Sequence, residues 1–265
     1  VVPVIQGVYR KYHAIPTGKT WNDALAYCRA TYIDLASYEN KDQATQLKNL
    51  AQSQNITSSL WIGLYNDINS WRWSMGNEPL GSSRYWYSPN PKNLNSNQYC
   101  AGIDTLGWFD HECSAKQPFI CFDGRYTGSS SYIYISDNMT WSEAQRYCRA
   151  NHTDLASARN TAENSVLLAM VSGGTWFGLF RDSWKWSDST NFTFMAWVPG
   201  EPNNLLGQEY CVFFTGGSTG DVLCSRIKPF FCEAVITGQQ QILRVKVQSS
   251  QDVNDPAVKA AMLDK

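Results

Sequence analysis

The chain has 265 residues, of which 43% are apolar, 14% aromatic and 17% charged, with 22 Lys plus Arg against 23 Asp plus Glu. A length suited to two domains, with enough Trp, Tyr and Phe to build cores, excludes a largely disordered chain. A net charge of −1 lacks the basic footprint that phosphate neutralisation requires, so nucleic acid is excluded as a partner. No apolar run approaches the ~20 residues of a membrane span. The first residues, Val1 to Tyr12, show neither an initiator Met nor a signal-peptide layout, so a mature chain or an excised fragment is expected.

Eight cysteines stand at Cys28, Cys100, Cys113 and Cys121, then at Cys148, Cys211, Cys224 and Cys232. The last three of each set repeat spacings of 13 and then 8 residues. Zinc is disfavoured, since no Cys-x-x-Cys pair occurs and there are three His in all. Asn-x-Ser/Thr sequons begin at Asn55, Asn138, Asn151 and Asn191. Together with an even set of cysteines they point to an oxidising, secretory route and a secreted or extracellular location.

The chain is one module written twice. In chain order, Thr20 reads as an N-cap before Trp21-Asn22-Asp23-Ala24-Leu25-Ala26-Tyr27-Cys28, a helix whose Trp21, Ala24, Leu25 and Cys28 face the core. Asp34-Leu35-Ala36-Ser37 follows, then a second helix over Lys41–Gln52 and the strand-like Trp61-Ile62-Gly63-Leu64. Beyond it the sequence is aromatic, Gly-rich and short-stranded, closing with Lys116-Gln117-Pro118-Phe119-Ile120-Cys121. A Gly- and Ser-bearing linker spans 124–130. The same order then returns. Thr140 and Glu143 cap Trp141-Ser142-Glu143-Ala144-Gln145-Arg146-Tyr147-Cys148, ahead of Asp154-Leu155-Ala156-Ser157 and a helix over Thr161–Val171. Trp176-Phe177-Gly178-Leu179 and Lys228-Pro229-Phe230-Phe231-Cys232 complete the copy. Each module is therefore α+β. Residues 237–265 read as a strand through Leu243, Val245 and Val247 and a helix opening at Asp255-Pro256, part of a further unit.

These motifs together resemble two tandem C-type lectin-like domains, over 7–123 and 131–236. The resemblance implies two helices, short antiparallel sheets and a long irregular loop per domain. It also implies the pairings Cys28–Cys121 with Cys100–Cys113, and Cys148–Cys232 with Cys211–Cys224; spacing alone leaves three pairings open per module. In sugar-binding members, calcium is held by a Glu-Pro-Asn loop, a Glu two residues before a cysteine, and a Trp-Asn-Asp strand. A hard cation of this kind takes six to eight oxygens, two of them from vicinal sugar hydroxyls in that family.

The second copy keeps Glu201-Pro202-Asn203, Glu209 two residues before Cys211, and Asp221 three before Cys224, while Thr219-Gly220 replaces the Trp-Asn pair. By the resemblance, Glu201, Asn203, Glu209 and Asp221 are the calcium ligands. Glu201, Asn203 and Glu209 also contact a mannose-, fucose- or N-acetylglucosamine-type sugar. The first copy has Asn90-Pro91-Lys92, Gln98 and Asp110, an amide and an ammonium among the expected ligands, and is expected to hold no calcium. Its aromatics Tyr85, Trp86, Tyr87 and Trp108 read as core rather than as a stacking surface. Gly216-Gly217-Ser218-Thr219-Gly220 matches a nucleophile-elbow pattern, yet no His follows it. His13, His111 and His152 read as surface residues. The expectation is a non-enzymatic extracellular recognition protein that binds glycans. The alternative is a calcium-independent protein-binding receptor or adhesion module.

Overall fold

A computed structural model describes residues 6–239, so the expected strand and helix within 243–265 lie outside the described residues. The chain divides into two compact units. The larger comprises Lys11–Ala234; the smaller joins the two chain ends, and its described residues continue the first and last strands.

The four helices expected from the repeat form where the N-caps place them. Helix α1 (Trp21–Thr31) opens with the Thr20 hydroxyl accepting from Asp23 N at 3.2 Å. Its counterpart α3 (Trp141–Asn151) has the complete reciprocal capping box between Thr140 and Glu143. The Asp23 side chain is one methylene shorter; its carboxylate accepts from the Thr20 hydroxyl instead. Asn40 and Asn160 cap α2 (Lys41–Ser53) and α4 (Thr161–Met170) in the same manner.

Two mixed sheets carry the fold. The first runs β1 (Gln6–Lys19), β14 (Lys228–Gln239), β3 (Leu60–Asn66), β12 (Glu209–Thr215), β13 (Ser218–Leu223). On it, β11 (Trp184–Trp186) pairs β3 and β2 (Asp34–Leu35) pairs β14. The second runs β6 (Gly107–His111), β5 (Cys100–Asp104), β10 (Thr175–Phe180), β7 (Gln117–Phe122), β8 (Tyr132–Met139). There β4 (Arg72–Trp73) pairs β10 and β9 (Asp154–Leu155) pairs β7. The repeats in sequence and the halves in space therefore do not coincide. Each sheet combines the first part of one copy with the last part of the other, the chain crossing at residues 67–71 and again at 181–183.

The disulfides follow this exchange and correct the expected pairing. Cys28 bonds Cys232 and Cys121 bonds Cys148, each at a Cα separation of 5.3 Å. Cys100–Cys113 and Cys211–Cys224 are as expected. The physical reason is adjacency. It is β14, not β7, that lies against β2 and β3, so the cysteine presented to α1 is Cys232.

Each half has the same core. In the first, α1 buries Trp21, Ala24 and Cys28 against Trp61, Leu35 and Phe230. Helix α2 puts Ala44, Leu47 and Ala51 on the cluster that contains Ile62, Trp186 and Phe214. In the second, Trp141, Ala144 and Cys148 pack on Trp176 and Phe119, and Leu167 on Phe177, Trp73 and Trp108. The glycine of the Trp-x-Gly-Leu strands is required by close packing. A Cβ on Gly63 would stand 3.0 Å from Leu35 O, and one on Gly178 3.0 Å from Ala156 O.

Candidate functional site

Both copies build the same loop skeleton beside their closing strands. In the second, Trp197 bridges Thr219, the Glu201–Pro202 peptide is cis, and Asn204 is left-handed at φ 46°. In the first, Trp86 bridges Trp108, Asn90–Pro91 is cis, and Asn93 has φ 49°. An aspartate anchors each loop. Asp221 accepts from Asn203 N and Asn204 N, both at 2.9 Å. Asp110 accepts from Lys92 N at 2.8 Å and Asn93 N at 2.5 Å. A second anchor comes four residues along: Glu209 Oε2 accepts from Leu205 N at 2.8 Å, and Gln98 Oε1 from Leu94 N at 2.7 Å.

The four residues singled out in the second copy come together. Asn203 donates its amide to Glu201 Oε1 at 3.0 Å and accepts from Leu205 N at 2.7 Å, the same N–H that reaches Glu209. Glu201 Oε2 is buried with no hydrogen-bond partner. Burial, then a hydrogen bond to Asp221 that only the protonated carboxyl can make, and the charges of Asp221 and Glu209 push the Glu201 carboxyl up to about 7. Burial also raises Glu209, with the Asp221 charge adding to it and Leu205 N–H and Arg226 opposing it. Acidic groups are thus concentrated here, with Arg226 acting on Glu209. The donor set suits a hard cation in kind, three carboxylates and one amide, and the orphaned Glu201 oxygen has the capacity to accept one. In placement, however, no group of three or more His, Cys, Asp or Glu among the described residues is arranged to hold a metal ion.

Residues outside the sequence-derived set complete the site. Ser96, from the first copy, is 1% exposed and donates its hydroxyl to Asp221 Oδ2 at 2.7 Å. Asn204 donates its amide to Asn93 O at 2.8 Å, so the two loops are stitched to each other. Arg181, 4% exposed, lies beneath the first loop. Its guanidinium donates to Asn93 Oδ1 and Asn66 Oδ1, both at 2.5 Å, and to Gln98 O at 3.1 Å, and stacks near Trp71 and Tyr99. Asn66 and Arg181 each follow the Trp-x-Gly-Leu strand of their own copy, so equivalent positions of the repeat meet. A lone Arg and a loop Ser give no signal in one sequence; only the shared loop pattern of Asn93 and Asn204 was there to be found.

Other expectations resolve plainly. Trp108 is fully buried and donates its indole N–H to Asn164 Oδ1, with Tyr85 and Trp86 packed on the same core. Gly216 and Gly217 form the turn between β12 and β13, so no nucleophile elbow exists. His152 is a correction: its side chain is 16% exposed and contacts Asp123 Oδ2 at 3.0 Å, because it ends α3 against the start of the connection between copies. His13 stacks on Tyr32, and His111 lies against Trp176. Asn55, Asn138, Asn151 and Asn191 are all exposed.

A family model described as the lectin C-type domain matches residues 17–122 and 137–234. C-type mannose receptor 2 of Mus musculus is 26% identical over 260 residues, covering 81% of this chain and 17% of that protein. The chain thus spans about one sixth of that relative's length. A C-type lectin of Cerberus rynchops is 38% identical over 114 residues, 37% of this chain and 72% of that protein. Among solved structures, human lithostathine aligns with a TM-score of 0.40 at 13% identity, covering 86% of this chain and 95% of that one.

Proposed function

The chain belongs to the C-type lectin domain family, and from that premise we propose that it is an extracellular glycan-recognition protein whose second copy binds calcium and a mannose-type sugar. Family members are carbohydrate-binding, non-enzymatic proteins, and the lectin-like role follows from membership. The observation that supports the finer reading is the buried, unpartnered Glu201 Oε2 among Asp221, Glu209 and Asn203. Glu201, Asn203, Glu209 and Asp221 would hold the ion. When bound, calcium supplies the charge that draws the vicinal hydroxyls of a mannose, fucose or N-acetylglucosamine residue. Glu201 and Glu209 would accept from those hydroxyls, and the Asn203 amide would donate to them. Thr219-Gly220 stands where the family pattern has Trp-Asn, which removes one ligand and one sugar contact. A hydrogen bond next to an ion contributes roughly 1.5–3 kcal/mol, so the site is expected to be about tenfold or more weaker than a complete one.

The first copy supports a different role. Its Asp110 and Gln98 are engaged by backbone N–H groups, and the Arg181 guanidinium lies beneath the loop. That loop is read as a calcium-independent scaffold for the second.

Calorimetric titration of calcium into the whole chain, with Glu201→Gln alongside, tests the reading. Saturable heat that disappears in the variant, with mannose binding lost in chelator, is expected. Calcium binding unchanged by Glu201→Gln would overturn it. No binding up to millimolar calcium would favour the alternative, a calcium-independent protein-binding module.

A further inference from the structure

Beside the Glu201–Asn203 loop, whose Pro202 lines it together with Ser96, a cavity of about 490 Å³ opens between the two copies, within the size range of small-ligand sites. The first copy contributes Asn95, Asn97 and Glu112; the second contributes Trp184, Phe192 and Trp197. Its apolar wall is built and rigid. Trp184 is 6% exposed and supports Trp197 at a ring separation of 5.2 Å, while Phe192 is 38% exposed at the rim. Asn95 and Asn97 are exposed, and the side chains of Asn95, Asn97 and Glu112 have no hydrogen-bond partner among the described residues, so all three are open to a ligand. No cationic side chain lines the cavity among those residues.

We propose that this cavity is a second saccharide-binding site, independent of calcium, for a neutral hexose or N-acetylhexosamine residue of a glycan. A pyranose ring has one face of C–H groups, which packs on Trp or Phe, and an edge of hydroxyls. Amides serve such an edge well because each both donates and accepts, and a carboxylate takes two hydroxyl protons. The alternation of aromatic faces and free amide groups fits that chemistry better than a peptide, whose backbone needs a paired strand edge or an apolar groove. With Glu112 present and no cation, an anionic sugar is repelled and a neutral one accepted. The site requires both copies, so it exists only because the loops of the two are brought together.

The test is ligand-observed NMR titration of the full chain in chelator, using mannotriose and chitotriose as neutral probes and sialyllactose as the anionic one. Saturable binding of at least one neutral trisaccharide is expected, weakened about fivefold or more by Phe192→Ala and by Asn97→Ala. Phe192 is at the surface, so its loss leaves folding intact. The Asn191→Gln chain is titrated in parallel, so that a glycan on the neighbouring residue does not cover the rim; saturable binding in either chain supports the site. No saturable binding of either neutral probe, or binding unaffected by the Phe192→Ala and Asn97→Ala double change, overturns it. Sialyllactose bound as tightly as the neutral probes overturns the selectivity argument. Chelator removes the calcium on which the carboxylate site would depend, so failure there and failure here are read separately.

Discussion

The loop of Asn90–Gln98 and the loop of Glu201–Glu209 have the same backbone plan and opposite electrostatics. Both hang from an aspartate through two consecutive N–H groups, and both turn through a left-handed Asn. In the first, a buried guanidinium donates to Asn93 Oδ1, and the neutral Gln98 amide oxygen accepts from Leu94 N. In the second, the ionised Glu201 has a buried Oε2 without a donor, and burial together with the neighbouring acids pushes Glu201 up to about 7. One loop lies against a buried guanidinium; the other gathers carboxylates. A backbone cradle of this kind persists when its charge is changed, because N–H groups and turns hold its shape while side chains set its chemistry.

That contrast can be broken at several points. The all-or-none one is connectivity: mass spectrometry of a non-reduced digest is expected to find Cys28 joined to Cys232 and Cys121 to Cys148. Linkage of Cys28 to Cys121 would mean that each loop belongs to a separate, unexchanged domain. Next in size is Arg181→Ala, which leaves Asn66 Oδ1, Asn93 Oδ1 and Gln98 O without their shared donor. A loss of about 3–5 kcal/mol is expected in denaturant unfolding, and an effect under about 1 kcal/mol would show that the first loop stands without its cation. Ser96→Ala removes the hydroxyl that crosses from the first loop to Asp221. About 1–2 kcal/mol is expected, and a double-mutant cycle with Asp221→Asn should recover most of it as coupling.

The smallest effect is on pH dependence. Glu201 is raised from 4.5 to about 7 in the folded chain, so folding favours its protonated form. Its contribution is fully present below the ordinary value of 4.5 and is lost as pH rises through about 7. In chelator, thermal stability should therefore fall from acidic toward neutral pH by more in the parent than in Glu201→Gln. Parallel profiles would show that the acids do not repel one another. Asp123 moves the other way: hydrogen bonds from Arg125 and His152 hold its carboxyl well below the usual range. That contribution is present above the ordinary carboxylate value and lost on strong acidification, which separates the two in the same titration.

Much of this molecule is local and was legible. Caps at Thr20 and Thr140 start helices where the apolar spacing asks for them. The resemblance also singled out Glu201, Asn203, Glu209 and Asp221, which the fold brings together, Asp221 on the strand that anchors the loop of the other three. What repetition hides is partner choice. Cys28 faces two strands of nearly the same sequence, ending in Cys121 and Cys232, and nothing in local preference distinguishes them. The three-residue connection Arg181–Ser183 and the ion pairs Arg72–Asp182 and Lys185–Asp67 hold the crossing in place, and short hinges favour exchange over reversal. Ser96 and Arg181 acquire their roles only after that crossing, when the loops meet. Sequence by itself determined the elements, the cradles and the charges within them, because those depend on residues a few positions apart. Tertiary structure decided which half closes on which, because two equivalent surfaces compete for each strand and only the path of the chain between them tells them apart.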